Sequence, residues 1–470
     1  SETLAAIPVA SATEALQGKM AGVQITTTEG SPDAQMSIRV RGGGSITQSN
    51  EPLFIVDGFP VESISDIPPT DIESIDVLKD ASSTAIYGAR GANGVIIVTT
   101  KSGKEGKVSV SYNAYYAWKK VAKTLDVLSA SDYTKWQYEL AQLTNKNDDY
   151  IKYFGNYQDL DMYDNVATND WQDLTFGRTG HSFNHNLSIN GGSDKFKYSF
   201  SYSHIDDKAI MQMSDYARDN LNLKLNHKPL KNVSLDFSAR FSKTKINGGG
   251  SNDANSSLNT DKRLKYSLLY TPYPVPGISD ALNADEEDAN SLLINPLISL
   301  RDNDTRKERI NYNLAGSITW EIIKDLKLKA EVGYDDYRNN ADRYYGVTTY
   351  YVRNNVDDED KSKPAISFTR GTRTAFRSTN TLSYDFKKFF KNNKNHLNLL
   401  AGQEYIVTRE RELRNVVHGF PTEYTADDCI NYSTKGNPYE VTNYGYPDDV
   451  LFSFFGRANY DFDSKYLFSA

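Results

Sequence analysis

From residue 106 to the end, the chain alternates apolar and polar side chains with a period of two. In VSVSYNAYYAW (108–118), Val108, Val110, Tyr112, Ala114, Tyr116 and Trp118 fall on one face of an extended strand. Ser109, Ser111 and Asn113 fall on the other. The pattern returns in FNHNLSIN, KFKYSFSY, NLNLKLN, VSLDFSARF, INYNLAGSITW, LKLKAEVGY, STNTLSYDF, HLNLLAGQEY, FSFFGRANYDF and KYLFSA, about eleven strands in all. Short connections (190–194, 227–232, 322–325, 387–395, 463–465) take turns with long ones (119–181, 206–217, 243–308, 338–365, 411–450). That order describes antiparallel neighbours with every long loop at one end. Greek-key sandwiches break such an order, whereas transmembrane β-barrels keep it, with short periplasmic turns and long extracellular loops. A half-buried soluble sheet alternates in the same way, so the loop lengths decide for the barrel.

Composition agrees. Tyr numbers 32 against 5 Met and 1 Cys, which suits pleated surfaces better than helical bundles. A net charge of −8 argues against nucleic acid as a partner. Cys429 alone permits neither an internal disulfide nor a cysteine-based zinc site. His181 and His185 share a strand face rather than helical metal-ligand spacing, and DDED (357–360) reads as a solvated loop without the spaced ligands of an EF-hand. Asp335–Asp336 reads as a solvated pair at a strand end. No catalytic constellation, metal site or cofactor motif stands out. The expectation is a non-enzyme without cofactor.

Residues 1–105 have a different style, with short helix and strand signals: TEALQGKMAG (13–22) as a helix capped by Thr13, then VQITT, MSIRVR and LFIVDG. In DIESIDVLKDASSTAIYGARGANGVIIVTT (71–100), Thr70 and Glu73 suggest a capping box, and Asp80 a second short helix ending at Tyr87 with Gly88 after it. Gly88, Gly91 and Gly94 follow that helix and precede a strand. A dinucleotide fingerprint has the reverse order, so phosphate binding is not expected.

The succession LQGKMAGV, RVRG, VDG, DIESI, VLKDAS, AIYG, ANGVI and TTK closely resembles the plug of TonB-dependent outer-membrane transporters, and within them the SusC/RagA branch. The likeness covers residues 7 to about 104; the strand region is similar to the family only in style. It implies a membrane β-barrel of about 22 strands, about eleven present here, with an N-terminal α+β plug inside it. The chain then divides into a plug at 1–105 and the N-terminal half of the barrel at 106–470. A TonB-contact segment is not recognised before Ser1, and the remaining barrel strands are expected elsewhere.

The resemblance further implies import of an oligosaccharide, with oligopeptide import or a non-transporting glycan receptor as alternatives. A SusD-like surface lipoprotein would act as lid, TonB as energy coupler, and SusC–SusD pairs can double into a dimer. The location implied is the outer membrane of a Gram-negative, Bacteroidetes-like bacterium. Outward plug loops would touch substrate through Ser45, Thr47, Gln48, Asn50, Phe59 and Glu62, and Trp136 and Trp171 of the first long loop could stack on a sugar. Arg39 and Arg41 would pair with Glu331 and Glu404 on the polar wall face. Lys79-Asp80 stands where many relatives have Arg-Gly, so the arginine lock of those relatives does not transfer to position 79.

Overall fold

The computed structural model describes residues 12–27, 36–42, 50–79, 85–248, 263–276, 294–354, 359–386, 394–463 and 465–470. Two small sheets form the N-terminal part. Strands β1 (Val23–Thr27) and β2 (Met36–Val40) pair antiparallel after a short helix, Ala12–Leu16. β3 (Leu53–Val56), β4 (Phe59–Val61), β5 (Ile72–Leu78) and β6 (Val95–Thr100) form a sheet in the order β4-β3-β6-β5, with β3 and β6 parallel. Their shared core includes Leu16, Ile25, Ile38, Val56, Ile72, Ile96 and Val98, with Val56, Ile72, Ile96 and Val98 fully buried. Truncating Ile96 to Ala would cost about 2–5 kcal/mol.

The expected capping box does not form. Thr70 sits inside a 3-10 turn, Pro69–Asp71, capped by Pro68, and its hydroxyl accepts from Asn186 of the wall instead. A 3-10 segment, Ala85–Gly91, replaces a regular helix end. It kinks at Gly88, whose φ of 58° suits glycine. Asp80 lies outside the described residues.

The rest is one antiparallel meander: β7 (Gly106–Lys119), β8 (Gly180–Gly192), β9 (Phe196–Lys208), β10 (Asp215–Leu230), β11 (Val233–Asn247), β12 (Thr305–Ile323), β13 (Leu326–Tyr345), β14 (Ala365–Asp385), β15 (Asn395–His418), β16 (Asn437–Gly445), β17 (Asp449–Phe462) and β18 (Tyr466–Ser469). β16 and β17 follow the same edge of β15. Arg411 faces Gly445 and Thr408 faces Asp449, so the second strand carries one extra residue beside Pro447. They are therefore one wall strand broken by a bulge where proline has no N–H to donate, and eleven wall positions remain. β7 and β18 form the two ends of the sheet's strand order, and the sheet is not closed among the described residues.

The strands outrun the sequence expectation. β15 has 24 residues and β14 has 21, against the roughly 9–11 that cross a bilayer. The 206–217 connection shrinks to 209–214 because β9 continues to Lys208 and β10 starts at Asp215, and 338–365 shrinks to 346–364 because β13 continues to Tyr345, through charged residues that periodicity alone reads as loop. Asp335–Asp336 accordingly lies mid-strand. Asp335 is buried beside Asn313, while Asp336 pairs with Arg338 on the opposite face. Asp360 of DDED is also buried, accepting from Asn437 Nδ2 at 3.1 Å; Asp357 and Asp358 lie outside the described residues.

Directly paired residues share a face, and the two faces differ sharply. Outward rows run Tyr112–Leu187–Tyr202–Leu221–Phe241–Tyr312 and Leu314–Tyr334–Phe376–Val407–Val450. The inward row one residue on from Phe241 and Tyr312 is Ser188–Ser201–Asn222–Arg240–Asn313–Asp335. Arg240 donates to Asn313 at 2.9 Å, and Asn313 donates to Asp335 at 3.3 Å. Apolar rows outside and a hydrogen-bonded polar ladder inside are what a membrane barrel requires.

Candidate functional site: the plug–wall interface

The β3–β4 connection is Asp57-Gly58, with φ of 52° and 86°. Two positive φ values suit a two-residue hairpin turn, which explains the Asp-Gly pair. The turn thrusts a carboxylate at the wall. Asp57 Oδ1 accepts from the Thr100 N–H at 2.8 Å and from Lys224 Nζ of β10 at 2.7 Å, and Oδ2 accepts from Thr100 Oγ1 at 2.7 Å. Lys224 also donates to the Thr100 carbonyl at 2.8 Å. Burial raises the Asp57 pKa, but Lys224, Arg240 and these hydrogen bonds outweigh it and hold the carboxyl below its ordinary range.

A second anchor centres on Glu404 of β15. It takes Arg90 of the plug at 2.7 Å on one oxygen and Arg377 of β14 at 2.8 Å on the other, with Thr379 Oγ1 at 3.2 Å. Arg377 also donates to the Gly58 carbonyl, tying this anchor to the Asp57 turn. One carboxylate thus holds two guanidinium groups, each of which would be costly alone. Further contacts are Glu62 to Arg373 at 2.9 Å, Asp66 to Arg309 at 3.6 Å, and the Ser65 carbonyl to Arg218 at 2.8 Å. Asp71 is buried against Ser201 and Asn186, and burial pushes its carboxyl above the usual range despite those hydrogen bonds.

The structure places the sequence candidates as follows. Glu404 joins plug to wall, but through Arg90; Arg39 is exposed on β2, and Arg41 sits at a positive-φ turn. Glu331 pairs with Lys329 of its own strand at 2.9 Å and lies close beneath Gly58, where a Cβ would come within 3.0 Å of its Oε1. Lys79 reaches back to the Ala21 carbonyl, within the plug. Phe59 does not face an open lumen. It is 4% exposed, and a Cβ on Gly333 would come within 2.2 Å of its ring, so the wall is glycine where the plug presses closest. Glu62 is partly exposed and engaged by Arg373, and Asn50 is half-buried. Burial and the Glu62 charge raise the neighbouring Glu51 carboxyl. Ser45, Thr47 and Gln48 lie outside the described residues.

The tryptophans belong to a separate loop assembly. Helix Ala130–Thr144, capped by Ser129, packs Tyr133 with Tyr150, Phe154, Tyr273 and Val275, the last two from the long connection between β11 and β12. Trp171 Nε1 donates to the Thr271 carbonyl at 2.8 Å and its ring meets Tyr270 edge-on, so it fastens one loop to the other. Trp136 is 47% exposed beside Tyr133. His181 stacks on Tyr116, and His185 bonds Tyr112, on one strand face.

Sequence reasoning missed Arg90, Arg377, Asp57, Lys224 and Arg373. A usable signal existed for the wall members. Lys224, Arg373 and Arg377 are cations on the polar face of membrane strands, and such groups need an anionic partner.

A family model, the TonB-dependent Receptor Plug Domain, matches residues 1–95. The chain is 30% identical to TonB-dependent receptor P3 of Formosa agariphila, over 100% of this chain and 43% of that protein. It is 29% identical to TonB-dependent receptor SusC of Bacteroides thetaiotaomicron, over 97% of this chain and 44% of that protein. It superposes on the RagAB peptide transporter with a TM-score of 0.76 at 24% identity, over 98% of this chain and 52% of that chain. The chain therefore spans less than half the length of these curated relatives.

A plug pinned inside an antiparallel membrane sheet is the architecture of TonB-dependent receptors. Within that class, the chain is SusC/RagA-like and carries the plug with part of the barrel.

Proposed function

We propose that the complete protein imports a nutrient across the outer membrane, driven by TonB and assisted by a SusD-like surface lipoprotein. The observation that carries this reading is the plug itself. Ion pairs from Asp57, Glu62, Asp66 and Arg90 hold it across the polar face of β10–β15, so the lumen is stoppered by a separately folded unit. A permanent receptor gains nothing from a stopper held by reversible charge pairs. An importer does, because tight capture must be followed by an energised rearrangement. Separating such pairs is costly unaided, which is why the rearrangement requires an external source of energy.

The substrate proposed is an oligosaccharide, as the SusC likeness suggests. An oligopeptide is the second reading, favoured by the fold shared with a peptide transporter. The domain reading, plug at 1–105 and barrel from 106, accords with β6 ending at Thr100 and β7 starting at Gly106. The test is uptake of labelled oligosaccharides and oligopeptides by cells with and without the gene. Loss of one class on deletion supports import and names the substrate; unchanged uptake of both refutes the importer reading for those classes.

A further inference from the structure

The outward face of the wall changes character within one step on the side of the long connections. Beyond the apolar row Tyr334–Phe376–Val407, the next outward rung is Asp336–Thr374–Arg409. Arg338–Thr372–Arg411 follows, and then Asn340–Arg370–Leu413. Two rungs further, Tyr344, Ile366 and Val417 are buried under Phe420 and Cys429 of the connection after β15. Lipid therefore covers the strands below, and the chain covers its own wall above. The charged belt between them lies open. The Arg338 and Arg409 side chains are 53% and 65% exposed, and Thr372 and Arg411 are exposed beside them.

Arginines crowd this belt. Residues directly opposite on antiparallel strands have Cβ atoms about 5 Å apart, so Arg338 and Arg411 flank Thr372 from its two sides. Arg370 stands two residues from Thr372 along β14, and Arg409 two residues from Arg411 along β15. Three of these arginines hold an acid: Arg338 with Asp336 at 2.9 Å, Arg370 with Asp342 at 2.6 Å and Arg409 with Asp448 at 2.9 Å. Arg411 makes no ion pair among the described residues, and its opposite neighbours are Thr372 and Gly445. The cluster therefore keeps a surplus of positive charge. Exposed ion pairs contribute little by themselves, so the paired guanidinium groups remain open to a stronger acceptor. A guanidinium fork matches phosphate oxygens with two parallel N–H donors, and the Thr372 hydroxyl adds another donor.

We propose that Arg338, Thr372 and Arg411, with Arg370 and Arg409 around them, bind the phosphate headgroup of an outer-leaflet lipid. The belt continues the lipid-facing rows without a break and faces away from plug and lumen. Its occupant therefore stands in the membrane rather than in the path of a solute. Basic clusters at a membrane boundary attract anionic headgroups within about a Debye length, and the surplus charge supplies the complementarity. Bound there, the lipid pins the height of β13–β15 in the membrane, beneath the covered rung at Tyr344. The inference needs the membrane wall and not the importer reading.

The test uses the complete transporter in nonionic detergent, with bound lipids counted by native mass spectrometry. Phosphatidic acid should bind at least tenfold more tightly than phosphatidylcholine of the same acyl chains. Arg338→Gln with Arg411→Gln should lose at least fivefold of that preference, with phosphatidylcholine binding unchanged. Lys243→Gln with Lys245→Gln, on the outward face of β11, should keep at least half of it. An equal loss in both double variants reduces the effect to general surface charge and overturns the site, as does a wild type without preference. Thr372→Asp keeps every arginine and supplies an internal anion, so it should match the arginine variant even if that one folds poorly. An unchanged preference in Thr372→Asp overturns the proposal. A tenfold excess of inorganic phosphate should leave phosphatidic acid bound; displacement would assign the site to a free anion and overturn the lipid.

Discussion

The outward and inward faces of the same strands obey different rules. Outside, Leu314, Tyr334, Phe376, Val407 and Val450 line up across five strands with nothing specific between them. Inside, Glu404 makes hydrogen bonds to named partners on another strand and on the plug, and Asp57 does the same with Lys224. The outer face needs only an apolar class of residue at every second position. The inner face needs particular residues at particular places, because a buried charge without its partner is expensive.

The contrast can be broken most forcefully at Glu404. Glu404→Ala leaves Arg90 and Arg377 facing each other, and should destabilise the plug in the wall by about 3–5 kcal/mol. Protease accessibility of the plug in the purified full-length protein reads this directly. Unchanged protection would mean that the anchor contributes nothing. On the outer face, Leu314→Arg should cost about 2–4 kcal/mol in vesicle refolding titrations if Leu314 meets the bilayer midplane. A neutral result there would remove Leu314 from the lipid-facing band.

Protonation sharpens the comparison within the plug. Asp57 is shifted down, so its stabilisation is present above the unfolded carboxyl range and lost only as pH falls through its own lower value. Asp71 is shifted up, so its contribution is fullest below the unfolded range and is lost as pH rises through its higher value. Asp71→Asn should therefore stabilise the plug at pH 7, while Asp57→Asn destabilises it, in unfolding measured from pH 3 to 7. Matching slopes in the two variants would contradict the opposite net shifts of the two carboxyls.

The smallest effect is expected at the loops. Trp171→Phe removes the bond to Thr271 and should cost about 1 kcal/mol, visible as faster hydrogen exchange in helix Trp171–Phe176, with ligand affinity unchanged. A tenfold loss of affinity would instead place Trp171 against the substrate.

These differences explain what could be read in advance. Period-two alternation located all eleven wall positions, because lipid acts on every outward residue independently. It undersized β13–β15, where Arg338, Arg370 and Arg409 stand on the outward face beyond the apolar rows and look like loop. The plug motifs located β1–β3 and β6, whereas β4 falls in a stretch read as an outward loop. Partner choice was not legible: Glu404 was recognisable as an inward carboxylate, but its pairing with Arg90 rather than Arg39 or Arg41 depends on how the Ala85–Gly91 turn meets β15, a tertiary distance of 314 residues along the chain. Phe59 was misplaced for the same reason, since the glycine that receives it lies on β13.

The central claim is that matched charges, not general polarity, hold the plug in the wall. A double-mutant cycle on Arg90 and Glu404 tests it, with Arg90→Ala, Glu404→Ala and the double variant compared by unfolding of the full-length protein. The account predicts a coupling energy of about 1–3 kcal/mol. Additivity within about 0.5 kcal/mol would contradict it.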